Sequence, residues 1–360
     1  MSWLLAFAGF AALIILHEFG HFVAAKAVGM KVTRFNLFFP PHIFSIRRGE
    51  TDYGVGVLPF GGYVKIVGMN PQEEIAEEDR PRAYYNQPVW KRVVVIAAGP
   101  LVNVFLAFVI LFILFAAKGV VDDTNKVDSI IKGSAAAGVL KPGDKLLSVD
   151  GRRGSNDVLR AQIARHTCAS RATTDGCVAA TPATVVVDRG GRPVTLTVSP
   201  RYSAQDRRML IGFSFHYFYD RQPIGTAATK SVTGMWDVTT QTVSRVSSLF
   251  FSSEARKDVH GVVGSYETTR ASFETDDIAL SLQILALISL SLAIINLFPF
   301  LPLDGGHIFW ALAEKVRGRP IPFRVMEQAS VVGFVLVIAV FFIGLSNDIH
   351  TLNHGGFGFK

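Results

Sequence analysis

The sequence predicts a polytopic α-helical membrane protein, with about four transmembrane helices and a mostly β domain inserted between the second and third. Three observations carry this reading. Hydrophobic residues make up 49% of the chain and charged residues only 18%, a balance suited to a membrane protein with a soluble insert. Four apolar stretches stand out along the chain. The Lys and Arg residues between them then give one consistent orientation.

The first stretch runs from about Trp3 to Val28 and the second from Val93 to Ala117. The third begins at Ile278, and the fourth runs from Ala329 to Leu345. A membrane helix needs roughly 20 apolar residues, so the fourth is the shortest candidate. The first lacks the basic start of a cleaved signal peptide, and it carries His17, Glu18 and His21 where an apolar core belongs. The loop after it is rich in basic residues, from Lys26, Lys31 and Arg34 to Lys91 and Arg92. The short loop before the fourth stretch holds Lys315, Arg317, Arg319 and Arg324. Both belong on the cytoplasmic side, which places both termini and the segment from about Lys118 to Asp277 outside. Trp90, beside Lys91 and Arg92, fits an interfacial anchor. The net charge of +7 reads as basic membrane edges and not as a nucleic-acid surface, because no dense Lys/Arg tract is present.

The outer segment reads as strands and turns. "ATVVVDRGGRPVTLTVSP" is two alternating strands around a Gly-Gly turn. "KPGDKLLSVDG" gives a Pro-Gly turn, a strand and an Asp-Gly turn. "SNDVLRAQIAR" has helical spacing, with Val158, Leu159 and Ile163 expected on its apolar side. "NPQEEIAEEDRPRAYYNQP", on the cytoplasmic side, is charged, bounded by prolines and expected as a surface loop.

The chemistry concentrates in "LHEFGHF", residues 16–22. An ionisable residue at the centre of a bilayer costs about 2.5–3.5 kcal/mol on insertion scales. Three of them in one span ask for a function. On a helix, residues four apart share a face, so His17 and His21 can aim both imidazoles at one ion. Glu18 is placed to reach a water on that ion. This is the HExxH arrangement of zinc metalloproteases. Zinc makes its water acidic and polarises a carbonyl, and the glutamate takes the proton.

Two histidines do not complete such a site, since a catalytic zinc takes three protein ligands plus water. The second anomaly is "NLFPFLPLDGGHIFW", at the end of the third helix. Asp304 is the natural third ligand: anionic, and followed by Gly305 and Gly306, which let backbone approach closely. Pro299 and Pro302 break the helix at membrane depth, tolerated only inside protein or beside a wet cavity. The topology puts His17, His21 and Asp304 at one depth on the cytoplasmic side.

These motifs resemble the site-2 protease family of intramembrane zinc metalloproteases, and within it the bacterial branch that cleaves membrane-bound anti-sigma factors. "HEFGH" at 17–21 and "NLFPFLPLDGG" at 296–306 carry the resemblance. "PFGGYVKIVG" at 59–68 is similar to the family's membrane-associated β-hairpin, and "AAGPLVN" at 97–103 to its second-helix signature. The resemblance implies zinc held by His17, His21 and Asp304, with Glu18 as general base. It implies that Asn296 holds substrate near the metal; an interhelical hydrogen bond is the plainer role. The hairpin's alternating residues suit strand addition by an unwound substrate, with Gly61, Gly62 and Tyr63 as contacts; an ordinary cytoplasmic hairpin is the alternative.

"GSAAAGVLKPGDKLLSVDGR" at 133–152 resembles a PDZ domain. The implied role is a size filter for single-pass substrates already trimmed by a site-1 protease. Related members carry two tandem PDZ domains, and one copy is evident here. The segment around Cys168 and Cys177 looks inserted, and outside the cytoplasm these residues form a disulfide or remain free thiols. The expected domains are 1–117 (two helices, HExxH, hairpin loop), 118–202 (PDZ-like), 203–277 (linker) and 278–360 (two helices, LDGG motif). The resemblance implies an intramembrane endopeptidase of a bacterial inner membrane, acting on pre-trimmed anti-sigma factors or remnant signal peptides. A non-catalytic PDZ-bearing adaptor has no use for the four site residues, and a metal transporter would need a polar path that the fourth helix lacks.

Overall fold

A stretch of mostly Ala, Leu, Ile and Phe, interrupted by Gly9 and by His17, Glu18 and His21, gives the first helix, α1 (Ser2–Ala27). The computed structural model describes residues 2–70, 73–170, 174–204, 206, 208–249, 251–252, 256, 261–274 and 277–353. Gly29, at φ +84°, turns the chain out of α1. Two long strands follow, β1 (Val32–Arg48) and β2 (Thr51–Ile66). A Gly-Gly turn predicts that the two halves of 53–68 pair with each other. The structure corrects this. Residues 32–37 insert between those halves, pairing with 62–66 on one side and with 52–55 on the other, while 42–48 pairs with 51–56. The reversal falls at Gly49, φ +61°, and Gly61 is a bend inside β2. Residues 62–66 form an end row of the sheet.

Glu50, just past that reversal, accepts from both guanidinium nitrogens of Arg82, at 2.7 and 2.8 Å, and from Lys26 Nζ at 2.6 Å. Arg82, with Lys26 behind it, holds the Glu50 carboxyl down at about 2. A depressed carboxyl stabilises the fold above its ordinary value of 4.5 and loses that contribution as pH falls toward about 2. Melting temperatures of wild type and Glu50→Gln are expected to differ at pH 7 and to converge between pH 4.5 and 2.

The stretch 70–88, expected as a surface loop, forms two short 3-10 turns, Glu77–Arg82 and Tyr84–Asn86. Tyr84 is buried against Met30, Val32, Ile66, Val95 and Ile96, which anchors the segment. Helix α2 (Val89–Ala117) comes next. It meets α1 with almost no spacing: a Cβ on Gly20 would lie 2.6 Å from the Ala98 carbonyl oxygen.

The insert is a separate compact unit, Ala116–Gln222. It contains β3 (Val120–Ile130), β4 (Lys145–Val149), α3 (Asn156–Ala164), β5 (Ala183–Arg189), β6 (Arg192–Val198), β7 (Arg201–Ser203), β8 (Arg208–Leu210) and β9 (Phe213–Asp220). Five strands form an antiparallel sheet in the order β6-β5-β4-β3-β9, and β7 pairs with β8. Gly190 and Gly191, at φ +64° and +82°, make the tight β5–β6 turn. Ala183, Val185 and Val187 alternate inward onto Leu146, Val149, Leu159 and Ile163. Val158, expected with Leu159 on the apolar side of α3, faces out. Buried Asp144 accepts from Arg189 at 2.7 and 2.8 Å. Cys168 and Cys177 are joined as a disulfide. The unit does not stop at residue 202: β9 pairs with β3, so the boundary falls at Gln222.

The remaining chain, 223–353, returns to the first unit. In place of a linker, its described residues include the helices α4 (Ile224–Ser248) and α5 (Val262–Ser272). Met235 of α4 packs with Ala107 and Leu111 of α2. Helix α6 (Ile278–Asn296) opens with Asp277 accepting from the Ala279 amide at 3.1 Å, an N-cap. Helices α7 (Asp304–Arg317) and α8 (Phe323–Asn353) follow. The fourth stretch, expected as the shortest, is a helix of 31 residues, because polar residues at both ends extend it past its apolar centre. One of them, buried Asp348, accepts from the Gly261 and Gly264 amides at the start of α5. Among the described residues, α1, α2, α6 and α8 are long and apolar enough to cross a membrane.

Candidate active site

The site is built where α1, α2 and the start of α7 meet. His17 and His21 lie on one face of α1, each 7% exposed. Asp304 is the first residue of α7, where the helix dipole favours a negative charge. Its Oδ2 lies 3.2 Å from His17 Nε2 and 3.3 Å from His21 Nε2, and the two Nε2 atoms are 3.3 Å apart. The predicted ligand set is thus one cluster, although Asp304 comes from the far end of the chain.

This geometry fits a metal ion. His21 Nδ1 donates to the Val95 carbonyl at 2.9 Å, so its Nε2 presents a lone pair. Asp304 Oδ2 is buried and has no hydrogen-bond partner. Three electron-pair donors facing one another are stable only around a cation. Tetrahedral zinc, with bonds of about 2.0–2.1 Å, needs its ligand atoms about 3.3–3.4 Å apart. The observed triangle has that size.

The shell around the ligands was not assigned from sequence. Asn103, 0% exposed on α2, places its amide 3.3 Å from His17 Nδ1. Its Oδ1 is a buried orphan. If His17 offers Nε2 to an ion, its Nδ1 carries the proton. Exchanging the amide's N and O then gives the orphan a donor and His17 an acceptor. An asparagine in an otherwise apolar span is the sequence signal for this role. Gly99 is equally constrained: a Cβ there would sit 2.3 Å from His21 Nε2. At the other ligand, a Cβ on Gly305 would lie 2.2 Å from the Leu297 carbonyl oxygen, and one on Gly306 2.5 Å from the Leu301 nitrogen. Gly333 of α8 presses on the same loop, where a Cβ would collide with the Leu301 carbonyl oxygen at 1.8 Å. These glycines let the broken segment 297–303 coil tightly enough to deliver Asp304.

Glu18 is half-buried and its carboxylate faces the Val64 backbone amide. The sheet also touches it at Gly62, where a Cβ would lie 3.0 Å from Glu18 Cγ. Of the predicted substrate contacts, Gly62 is therefore beside Glu18. Gly61 is the bend before it, at φ +143°. The Tyr63 hydroxyl accepts from Asn36 at 2.7 Å, and its ring stacks on Phe39. Asn296 ends α6, half-buried, and is not among the clustered ligands. His307 is half-buried one turn after Asp304. His216 pairs with Asp128 in the insert, His42 is exposed, and His260 lies outside the described residues.

Known proteins are similar in sequence to this one along nearly the whole chain. A protein of Rhizobium meliloti (strain 1021), named as a putative zinc metalloprotease, is 29% identical over 370 aligned residues covering 94% of each chain. One of Clostridium perfringens with the same kind of name is 29% identical over 358, covering 97% of this chain and 98% of its own. One of Nostoc is 28% identical over 349, covering 94% and 93%. The sequence profile of peptidase family M50 matches residues 5–340, a span that takes in both the HExxH helix and Asp304, and the chain belongs to that family.

Proposed function

We propose that this metalloprotease is an intramembrane endopeptidase that cuts transmembrane segments of single-pass proteins. The observation that carries the reading is the 3.2–3.3 Å triangle of His17, His21 and Asp304, whose two histidines sit on a helix able to span a bilayer. The cofactor is zinc, held by those three side chains. When bound, zinc polarises the scissile carbonyl and makes water a usable nucleophile near neutral pH. Glu18 takes the proton from the attacking water and passes it to the leaving amine. Val95 and Asn103 orient the imidazoles.

A helix hides its carbonyls in its own hydrogen bonds, so a substrate must unwind before it is cut. Strand addition to the end row at residues 62–66 would run it past Glu18, since the Val64 amide already reaches that carboxylate. Gly61, Gly62 and Tyr63 line this track, and Asn296 holds the peptide from the other side. The insert acts as a PDZ-like filter outside the membrane, favouring substrates shortened by a site-1 protease. Pre-trimmed anti-sigma factors and remnant signal peptides fit that requirement. The basic loops support an active site facing the cytoplasm, in a bacterial inner membrane.

Purified protein in liposomes, given a tagged and pre-trimmed transmembrane substrate, is expected to release a product cut inside the span. A zinc chelator is expected to stop release and added zinc to restore it. Cleavage that survives complete zinc removal would sink the reading.

A further inference from the structure

We propose that Arg92 and Glu314 are positioning residues for the metal cluster, acting through two helix faces that they lock in register. The inference rests on the zinc reading above. On α2, Arg92, Ile96, Gly99 and Asn103 recur at i, i+4, i+7 and i+11, which is one helix face, and all four are buried. On α7, Asp304, Ile308, Ala311 and Glu314 also share one face. At one end of these faces, the His21 ring lies over Gly99 and Asp304 closes the cluster. Between the ends, Ile308 packs on the group containing Val95 and Ile96. At the other end, Arg92 Nη1 and Nη2 donate to Glu314 Oε2 and Oε1 at 2.9 and 2.7 Å, with the Arg92 side chain 9% exposed.

Ten residues of helix separate Glu314 from Asp304, about 15 Å along the axis, so the pair touches neither the ligands nor the reacting atoms. Burying two charges is an expensive way to join two helices, and apolar side chains of similar volume often stabilise as well or better. What the fork adds is direction. Two parallel hydrogen bonds fix both the axial offset and the rotation of α7 against α2. Asp304 needs that constraint, because α7 begins without a side-chain cap. Its Oδ2 must stay within a few tenths of an ångström of its place for three-ligand coordination.

The test uses the full-length protein in detergent, with cobalt(II) as a spectroscopic probe and a zinc chelator in competition. Three proteins are compared: wild type, Glu314→Gln, and the double variant Arg92→Met with Glu314→Leu. Both variants are expected to bind metal about 10-fold more weakly than wild type, the low end of what loss of a ligand's own hydrogen-bond partner costs, with altered cobalt absorption. The double variant is expected to melt no lower than wild type. A folded variant that binds cobalt with wild-type affinity and spectrum overturns the positioning role. Failure of both variants to fold also overturns it, in favour of a purely structural pair. A wild type that binds no metal overturns the zinc reading itself.

Discussion

Replacing Glu18 by glutamine is expected to abolish measurable cleavage while leaving zinc in place. A general base contributes about 10²–10⁴ to a rate, and here the same group also serves as the acid toward the leaving amine, so a loss of 10³ or more is expected. At 1.36 kcal/mol per tenfold, that is about 4 kcal/mol of transition-state stabilisation. Glutamine keeps the shape and still offers an acceptor to the Val64 amide, so the sheet stays docked on α1. Because Glu18 is not one of the three clustered ligands, zinc content should match wild type. The effect should fall on kcat with KM little changed, since the residue acts on the transition state. A variant that holds zinc and keeps a tenth of wild-type kcat would remove Glu18 from the role of base.

Gly99→Ala is expected to cost most of the metal affinity. The added carbon would stand 2.3 Å from His21 Nε2 and 2.5 Å from its Cε1. The ring cannot swing away freely, because its Nδ1 is tied to the Val95 carbonyl on the same helix as the new methyl. It moves off the cluster, and one of three ligands is lost or misdirected. We expect zinc binding to weaken by at least 100-fold, beyond the usual 10–100-fold for outer-shell changes. Gly234→Ala, on α4, is the control: nothing lies within 4 Å of its Cβ position. It should leave zinc binding unchanged and add up to about 1 kcal/mol from helix propensity. Equal zinc affinity in Gly99→Ala and wild type would show that His21 does not ligate through Nε2.

The parts of the site visible in the sequence were those that violate the chemistry of their surroundings. His17, Glu18 and His21 stand out in an apolar span, and Asp304 stands out after two prolines at membrane depth. The unit step of a helix converts the spacing of 17 and 21 into geometry. What the sequence hides is whatever depends on a distant neighbour. Gly99 falls in the stretch that resembles the family's second-helix signature, yet nothing local gives its role until His21 is laid against it. Arg92 reads as one more basic residue at a membrane edge, yet its side chain is 9% exposed and paired with Glu314 across the fold. The sheet shows the same division. Alternation announces strands in 51–66, but not that residues 32–37 insert between their halves, because that pairing joins segments with no local signal of register. The end of the insert is hidden for a related reason: β9 belongs to it only by pairing with β3, whose first residue, Val120, partners Asp220.

The order of the ligands along the chain has a consequence for biogenesis. The two histidines leave the ribosome with α1, and the carboxylate that completes the cluster follows some 280 residues later, a delay of about 15–60 s at 5–20 residues per second. Through that interval the nascent chain holds two of the three clustered side chains and no cutting power. A prematurely terminated product lacking α7 stays inert in the bilayer, so the neighbours being inserted beside it are spared. The fold thus keeps its cluster incomplete until α7 has been made.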